Sequence, residues 1–206
     1  MKVIGIAFSD LHLGEYSKFN EDNKRTLNHI RVLYLIKDLC IKYKCPAFFC
    51  GDFMHRPEFI STSLDEIIIE QFEELNRCEE FNIYGISGNH CMPKANTIEH
   101  RSPSHWANLC RRYSFLHNID FSYHDFGKFR VVGIPYIDHN NGLDGLIKSE
   151  LKGAMLKPTI LLLHTDYPGA KDTDNTEVGT VENLNVNLLS KFKLVLIGHI
   201  HKPQRL

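Results

Sequence analysis

Asp10 and His12, Asp52 and His55, Asn89 and His90, His164, and the pair His199 and His201 share one placement: each follows directly on a short apolar run. The first run, Val3 to Phe8, leads into Ser9-Asp10-Leu11-His12. Ala47 to Cys50 leads into Gly51-Asp52-Phe53-Met54-His55, and Ile83 to Ile86 into Ser87-Gly88-Asn89-His90. Thr159 to Leu163 ends on His164, and Leu194 to Ile197 opens onto Gly198-His199-Ile200-His201. Asp, Asn and His together ligate hard or borderline divalent cations. A single Asp after a strand is usually a turn former or cap, and a single His is usually a surface group. The clustering decides otherwise, because six of the twelve histidines fall in these windows. The others, His29, His100, His105, His117, His124 and His139, are scattered and read as surface or structural.

Such a set suits hydrolysis of a phosphodiester, which needs charge neutralised on a trigonal-bipyramidal transition state and a hydroxide made at neutral pH. Two cations ~3.5–4 Å apart can do both. One carboxylate must then be shared. Asp52, on a Gly-Asp turn, is the choice, with each of its oxygens serving one ion. Asp10, His12 and His201 complete one shell; Asn89, His164 and His199 complete the other. His90 is left free as general acid toward the leaving oxygen.

Runs of four to six apolar residues that do not alternate suit strands buried on both faces, and Phe129 to Ile134 joins the five already named. Between the first two runs, Leu27, Ile30, Leu33, Tyr34, Ile36, Lys37 and Ile41 keep a three-to-four spacing that predicts a helix over 23–43, closed off by Pro46. A second helix is expected over 64–78, with Ser63 as cap and Glu66 three positions on. Strands alternating with helices predict an α/β layered fold, in which ligand sites lie beyond the carboxyl ends of the strands. The stretch from Thr165 to Asn187, with Asp166, Asp172, Asp174, Glu177 and Glu182 against Lys171, reads as a solvated loop, or else as a substrate-facing one.

With 206 residues the chain makes one domain, 1–206, and not two comfortable ones. Lys plus Arg number 24 against 25 Asp plus Glu, so any basic surface is local. The N-terminus lacks the long apolar core of a signal peptide, and no stretch approaches the ~20 apolar residues of a membrane span. Six cysteines without CxxC spacing read as free thiols in a reducing, cytoplasmic setting.

The ordered set D-x-H, G-D-x-x-H, G-N-H, a mid-chain His and G-H-x-H resembles the calcineurin-like metallophosphoesterase superfamily, over residues 3 to 203. The ligand assignments above follow that family's pattern residue by residue. The resemblance implies a layered α/β/β/α sandwich. Protein phosphatases of the superfamily read G-D-x-x-D-R-G, whereas this chain has His55 at the acidic position. G-D-x-x-H is similar to the SbcD-like double-strand-break nucleases, phage recombination endonuclease subunits among them, and in these the His55 position helps to place the scissile phosphate. The closing Gly198-His199-Ile200-His201-Lys202-Pro203-Gln204 is also similar to theirs. This resemblance implies DNA cleavage in repair or recombination, as exonuclease, endonuclease or both. It further implies two divalent ions (Mn(II) first; Mg, Fe or Zn as alternatives), a homodimer and an SMC-like ATPase partner.

Two departures from that pattern are visible. Cys91 replaces the acid that usually follows the His90 position, and reads as a bystander thiol and not as a ligand. The chain also ends five residues after His201, so the family's further strands, cap domain and ATPase-binding segment are expected to be missing. Arg56 and Arg101 are weak candidates for DNA contact, together with His105, Trp106, Arg111 and Arg112; a solvated helix face with Trp106 in the core is the competing reading for residues 105–112. The alternatives to a nuclease are a phosphatase or small-molecule phosphodiesterase on the same scaffold, and a non-catalytic binding scaffold.

Overall fold

The computed structural model describes residues 2–14, 24–55, 61–92, 104–137, 143–154, 157–178 and 184–205. Two four-stranded sheets form the centre. The first holds β1 (Ile6–Phe8), β2 (Ala47–Phe49), β3 (Ile83–Gly85) and β4 (Leu116–Asn118), all parallel and in that order. The second runs β5 (Ser122–Asp125), β6 (Arg130–Ile134), β7 (Thr159–His164) and β8 (Leu194–Gly198), with only the β5–β6 pair antiparallel.

Strand side chains alternate between faces, and the continuous apolar runs follow from what covers each face. On β2, Ala47 and Phe49 pack toward helices α1 (Lys24–Tyr43), α2 (Thr62–Asn76) and α3 (His105–Arg112), whereas Phe48, and Cys50 just past the strand, pack toward the second sheet. On β7, Leu161 and Leu163 pack against α4 (Leu143–Ala154) and α5 (Val186–Leu189), whereas Ile160 and Leu162 meet Phe48 and Ile86 between the sheets. Three apolar layers thus separate helices, sheet, sheet and helices, the α/β/β/α order expected.

Helix α1 buries Thr26, Ile30, Leu33, Ile36 and Cys40, one stripe at three-to-four spacing. Helix α2 buries Leu64, Ile68, Phe72 and Leu75 in the same way. Its cap is Ser61 and not Ser63: the Ser61 hydroxyl accepts from the Leu64 N–H at 3.3 Å, two residues earlier than the sequence suggests. The strand expected from Val3 begins only at Ile6, where pairing with Ala47 starts. Among the described residues no helix is long and apolar enough to cross a membrane.

The stretch after β7 is not a free loop. Ala170 and Leu184 are buried, and the Gln204 side chain accepts from Lys171 N at 3.1 Å and donates to Lys171 O at 3.0 Å. Lys202 reaches Asn175 as well. The described part of the acidic stretch is therefore fastened to the segment that carries His199 and His201.

Candidate metal centre

In both sheets the parallel strands point the same way, so the residues following β1, β2, β3, β7 and β8 arrive at adjoining edges. Beyond β1 and β2 the backbones stay side by side: Asp10 N–H donates to Gly51 O at 2.9 Å, His12 N–H to Asp52 O at 3.0 Å, and His55 N–H to Leu13 O at 2.8 Å. Helix α1 tightens this edge, with Thr26 Oγ1 donating to Gly14 O at 2.8 Å and the His29 ring bonding the main chain of His12. Asp10 (φ 53°), His12 (φ 47°), Asp52 (φ 60°) and His199 (φ 101°) occupy left-handed backbone that non-glycine residues avoid. Such strain persists where surrounding contacts impose it, and here it concentrates on four of the predicted ligands.

The predicted ligands converge in two sets. The ligand atoms of Asp10, His12 and His201 lie within 4.8 Å of one another, as do those of Asp52, His164 and His199. In the first set, Nε2 of His12 is 3.1 Å from Nε2 of His201 and 3.9 Å from Asp10 Oδ1. In the second, Asn89 Oδ1 is 2.9 Å from His164 Nε2 and 3.3 Å from His199 Nδ1. Asp52 lies between them, its Oδ2 3.3 Å from His164 Nε2 and 3.9 Å from His12 Nε2. Its Oδ1 instead accepts the backbone N–H of His90 at 2.8 Å. Of the two oxygens, Oδ2 is the one that faces both sets.

The donor set fits cations on its own chemistry. Nδ1 of buried His164 faces the Cys50 carbonyl at 2.7 Å, which puts the proton of a neutral ring there and the lone pair on Nε2. That lone pair then faces the oxygens of Asn89 and Asp52. Acceptors crowding acceptors repel, and a positive charge among them reverses the sign. A proton can serve the same end: burial disfavours a charged His164, but the Asp52 carboxylate outweighs this and raises its pKa. Burial likewise opposes ionisation of Asp52, yet His164 and His12 bring its pKa below the usual carboxylate value. Burial takes His12 down to about 4, with His90 and His201 acting in the same direction, so its ring is neutral near pH 7, as a ligand must be.

His55 and His90 lie beside the first set. Their rings stack with centroids 5.5 Å apart, and His90 meets His12 edge-on at 4.8 Å. The ring nitrogen Nδ1 of His90 is 2.9 Å from the His55 carbonyl oxygen. A main-chain carbonyl thus orients the His90 ring. Cys91, buried in the α-helical side of the core, has its thiol pushed up to about 11 by desolvation, with nearby Asp52 adding to the effect, and it belongs to neither set.

Trp106 is fully buried and donates from Nε1 to Gly85 O at 3.0 Å, so it belongs to the core and not to a DNA surface. Arg111 and Arg112 are exposed, and Arg112 lies over the Tyr113 ring. Arg56, Arg101, His100 and His139 lie outside the described residues. His29, His105 and His117 are half-buried, with pKa values lowered by desolvation, and take no part in either set.

Two residues near the ligands escaped the sequence reading. Tyr136 follows β6, and its ring centroid is 6.2 Å from that of His164 and 6.3 Å from that of His199. The rule that strand ends carry the site would have found it, had it been applied to the sixth run. Asp166 lies 3.3 Å from His199 Nε2, and its place in an acidic stretch hid it.

No match is found among curated proteins. Among solved structures, a Staphylococcus aureus protein with a provisional 5′-nucleotidase assignment, in complex with alpha-ketoglutarate, is similar at 15% identity and a TM-score of 0.57. The alignment covers 95% of this chain and 44% of that one, so the likeness is one of fold and spans under half of the neighbour. The Pseudomonas putida nuclease MPE aligns at 13% identity over 80% of this chain and 61% of its own, with a TM-score of 0.38, too low to carry weight. The model of one protein family, the calcineurin-like phosphoesterases, matches residues 6–203, the span that holds every ligand of both sets. By that match the chain belongs to the calcineurin-like phosphoesterase family.

Proposed function

We propose that the chain is a two-metal phosphodiesterase whose substrate is DNA. As in the family, the ligand sets described above would hold two divalent cations, which neutralise a phosphate group and acidify a water. The residues of the chain do the rest. Asp52 joins the two sets, and His90 supplies a proton to the leaving oxygen from a ring fixed by the His55 carbonyl. His55 stands beside it to position the phosphate.

The observation that carries the DNA reading is His55 itself, a histidine where phosphatases of the family keep an acid, stacked on His90 next to the first ligand set. The side chain of His201 is 59% exposed, so among the described residues the centre is open to solvent on that side, which suits a long substrate. Mn(II) is the proposed ion. A homodimer, an SMC-like ATPase partner, a role in repair or recombination and a cytoplasmic place go with the SbcD-like motif and rest on it alone.

The test is a substrate panel in Mn(II): linear duplex DNA, single-stranded DNA, a 5′-mononucleotide, a cyclic nucleotide and a nitrophenyl phosphodiester. Degradation of DNA, abolished by chelator, is expected. Turnover of the small esters with DNA left intact would replace this reading with that of a phosphatase or small-molecule phosphodiesterase.

A further inference from the structure

A third group of metal-ligating side chains stands beside the two ligand sets. His12, His55 and His90 each bring a ring nitrogen within 4.8 Å of the other two. They follow β1, β2 and β3, three adjacent strands, and the main chain ties them together. His55 N–H donates to Leu13 O at 2.8 Å, and His90 N–H donates to Asp52 Oδ1 at 2.8 Å. The His90 ring centroid is 4.8 Å from that of His12 and 5.5 Å from that of His55. Of the three, His12 alone belongs to a set already described, where it is grouped with Asp10 and His201.

The chemistry of this group differs from that of the two sets. Each of those includes a carboxylate, Asp10 in one and Asp52 in the other, and oxygen donors suit Mn(II) or Mg(II). Three imidazoles suit Zn(II), Ni(II) or Cu(II). The His90 ring is already turned to its task. The His55 carbonyl, 2.9 Å from Nδ1, can only accept, so the proton of the neutral ring stays on Nδ1 and the lone pair on Nε2. Nitrogens around one tetrahedral Zn(II) at ~2.0–2.1 Å stand roughly 3.3 Å apart, so each pair of rings has to close by ~1.5 Å at most.

We propose that His12, His55 and His90 form a third cation site, which takes Zn(II) in preference to Mn(II) and switches the centre off when filled. Zn(II) there draws His12 away from the first set. It also takes the lone pair on Nε2 of His90, the nitrogen that would carry a proton to the leaving oxygen. His55 is lost to the phosphate in the same step. The site stands on the grouping of the three rings, whereas its inhibitory effect rests on the roles of His55 and His90 in the proposed function.

The experiment compares the full chain with His55→Ala and His90→Ala, which leave the two carboxylate-bearing sets intact. Nitrogen-15 NMR of the metal-free wild type titrated with Zn(II) reads the rings directly, and calorimetry reads the affinities for Zn(II) and Mn(II). Zinc is expected to shift the lone-pair nitrogens of His55 and His90 as ligation does. Each variant should lose at least ~10–100-fold in affinity for one Zn(II), the cost of removing even an outer partner, with both Mn(II) affinities within a few-fold of wild type. Zn(II) added to the Mn(II)-loaded wild type should stop hydrolysis of a nitrophenyl phosphodiester, and the residual turnover of His55→Ala should resist it. Nitrogens of His55 and His90 that zinc leaves unmoved in wild type overturn the site, even if both variants fail to fold. Equal Zn(II) affinity in wild type and both variants overturns it too, by confining zinc to the first two sets. Zinc on the three rings with turnover undiminished overturns the switch. A wild type that hydrolyses the nitrophenyl ester but leaves DNA intact removes the nuclease reading alone, and both the site and the switch are still decided by the zinc measurements.

Discussion

The carboxylate of Asp52 accepts the main-chain N–H of His90 at 2.8 Å, so the residue that joins the two ligand sets also sets the height of the turn bearing His90. Gly88 makes this approach possible. A Cβ there would come 2.1 Å from Asp52 Oδ1 and 2.5 Å from Asp52 N. Gly88→Ala should therefore cost ~1–3 kcal/mol of stability through overpacking and weaken Mn(II) binding at the same time. Denaturant unfolding and calorimetry measure the two effects, and a variant that matches wild type in both would rule out the close packing described.

His90→Ala should lower the rate on DNA by ~100- to 10,000-fold, the range for loss of a positioned general acid, with both ions still bound. The loss should shrink on a substrate with a good leaving group such as nitrophenolate, which needs no proton. An equal loss on both substrates would assign His90 to binding and not to proton transfer.

Trp106 fills the space between β3 and the helices, against Phe49 and Phe53. Trp106→Ala should destabilise the chain by ~3–5 kcal/mol, as large core truncations do. Trp106→Phe keeps most of the volume and should leave DNA affinity as it is; a fall in fluorescence-anisotropy affinity with stability retained would return Trp106 to the DNA surface.

The metal-free protein should lose stability in acid. Burial holds the folded pKa of His12 at about 4, below its ordinary 6.5. The unfolded chain therefore takes up this proton first, so stability is full above pH 6.5 and is lost as pH falls from 6.5 toward about 4. His199 is lowered by burial with the same sign. His164 acts oppositely: raised by Asp52, it adds stability below its unfolded value and loses it as pH rises through the folded one. With more histidines lowered than raised among the described residues, thermal melts in chelator should shift downward on acidification. A melting temperature that is flat or rising over that window contradicts the buried, neutral His12.

Much of this centre was legible because its ligands follow short apolar runs that are hard to miss, and the strands before Asp52 and His164 are buried on both faces. Asp10, Asp52, Asn89, His164 and His199 follow such runs directly. The elements that went unread lack that signature. Strand β5 is exposed or half-buried along its length, and β4 buries only Leu116, so neither leaves a continuous run. Helix α5 is one turn, too short for periodicity. The Ser61 cap was masked by Ser63, since two serines in one turn offer the same side chain to different N–H groups. Asp120 is a further case: both of its oxygens accept from Ser87, at 2.8 and 2.6 Å, which fixes the start of the Ser87-Gly88-Asn89-His90 turn from a strand connection that no local pattern marks.

Asp10 and His199 meet across 189 positions, His199 N–H reaching the carboxylate at 3.1 Å, and His12 meets His201 across the same separation. Synthesis delivers the first of each pair long before the second. While β8 is still inside the ribosome, a nascent chain can pair most of both sheets, but His199 and His201 are missing and neither set is closed. Capture of two ions would therefore wait until β8 has emerged and docked, which would make bound metal a marker that this strand is in place.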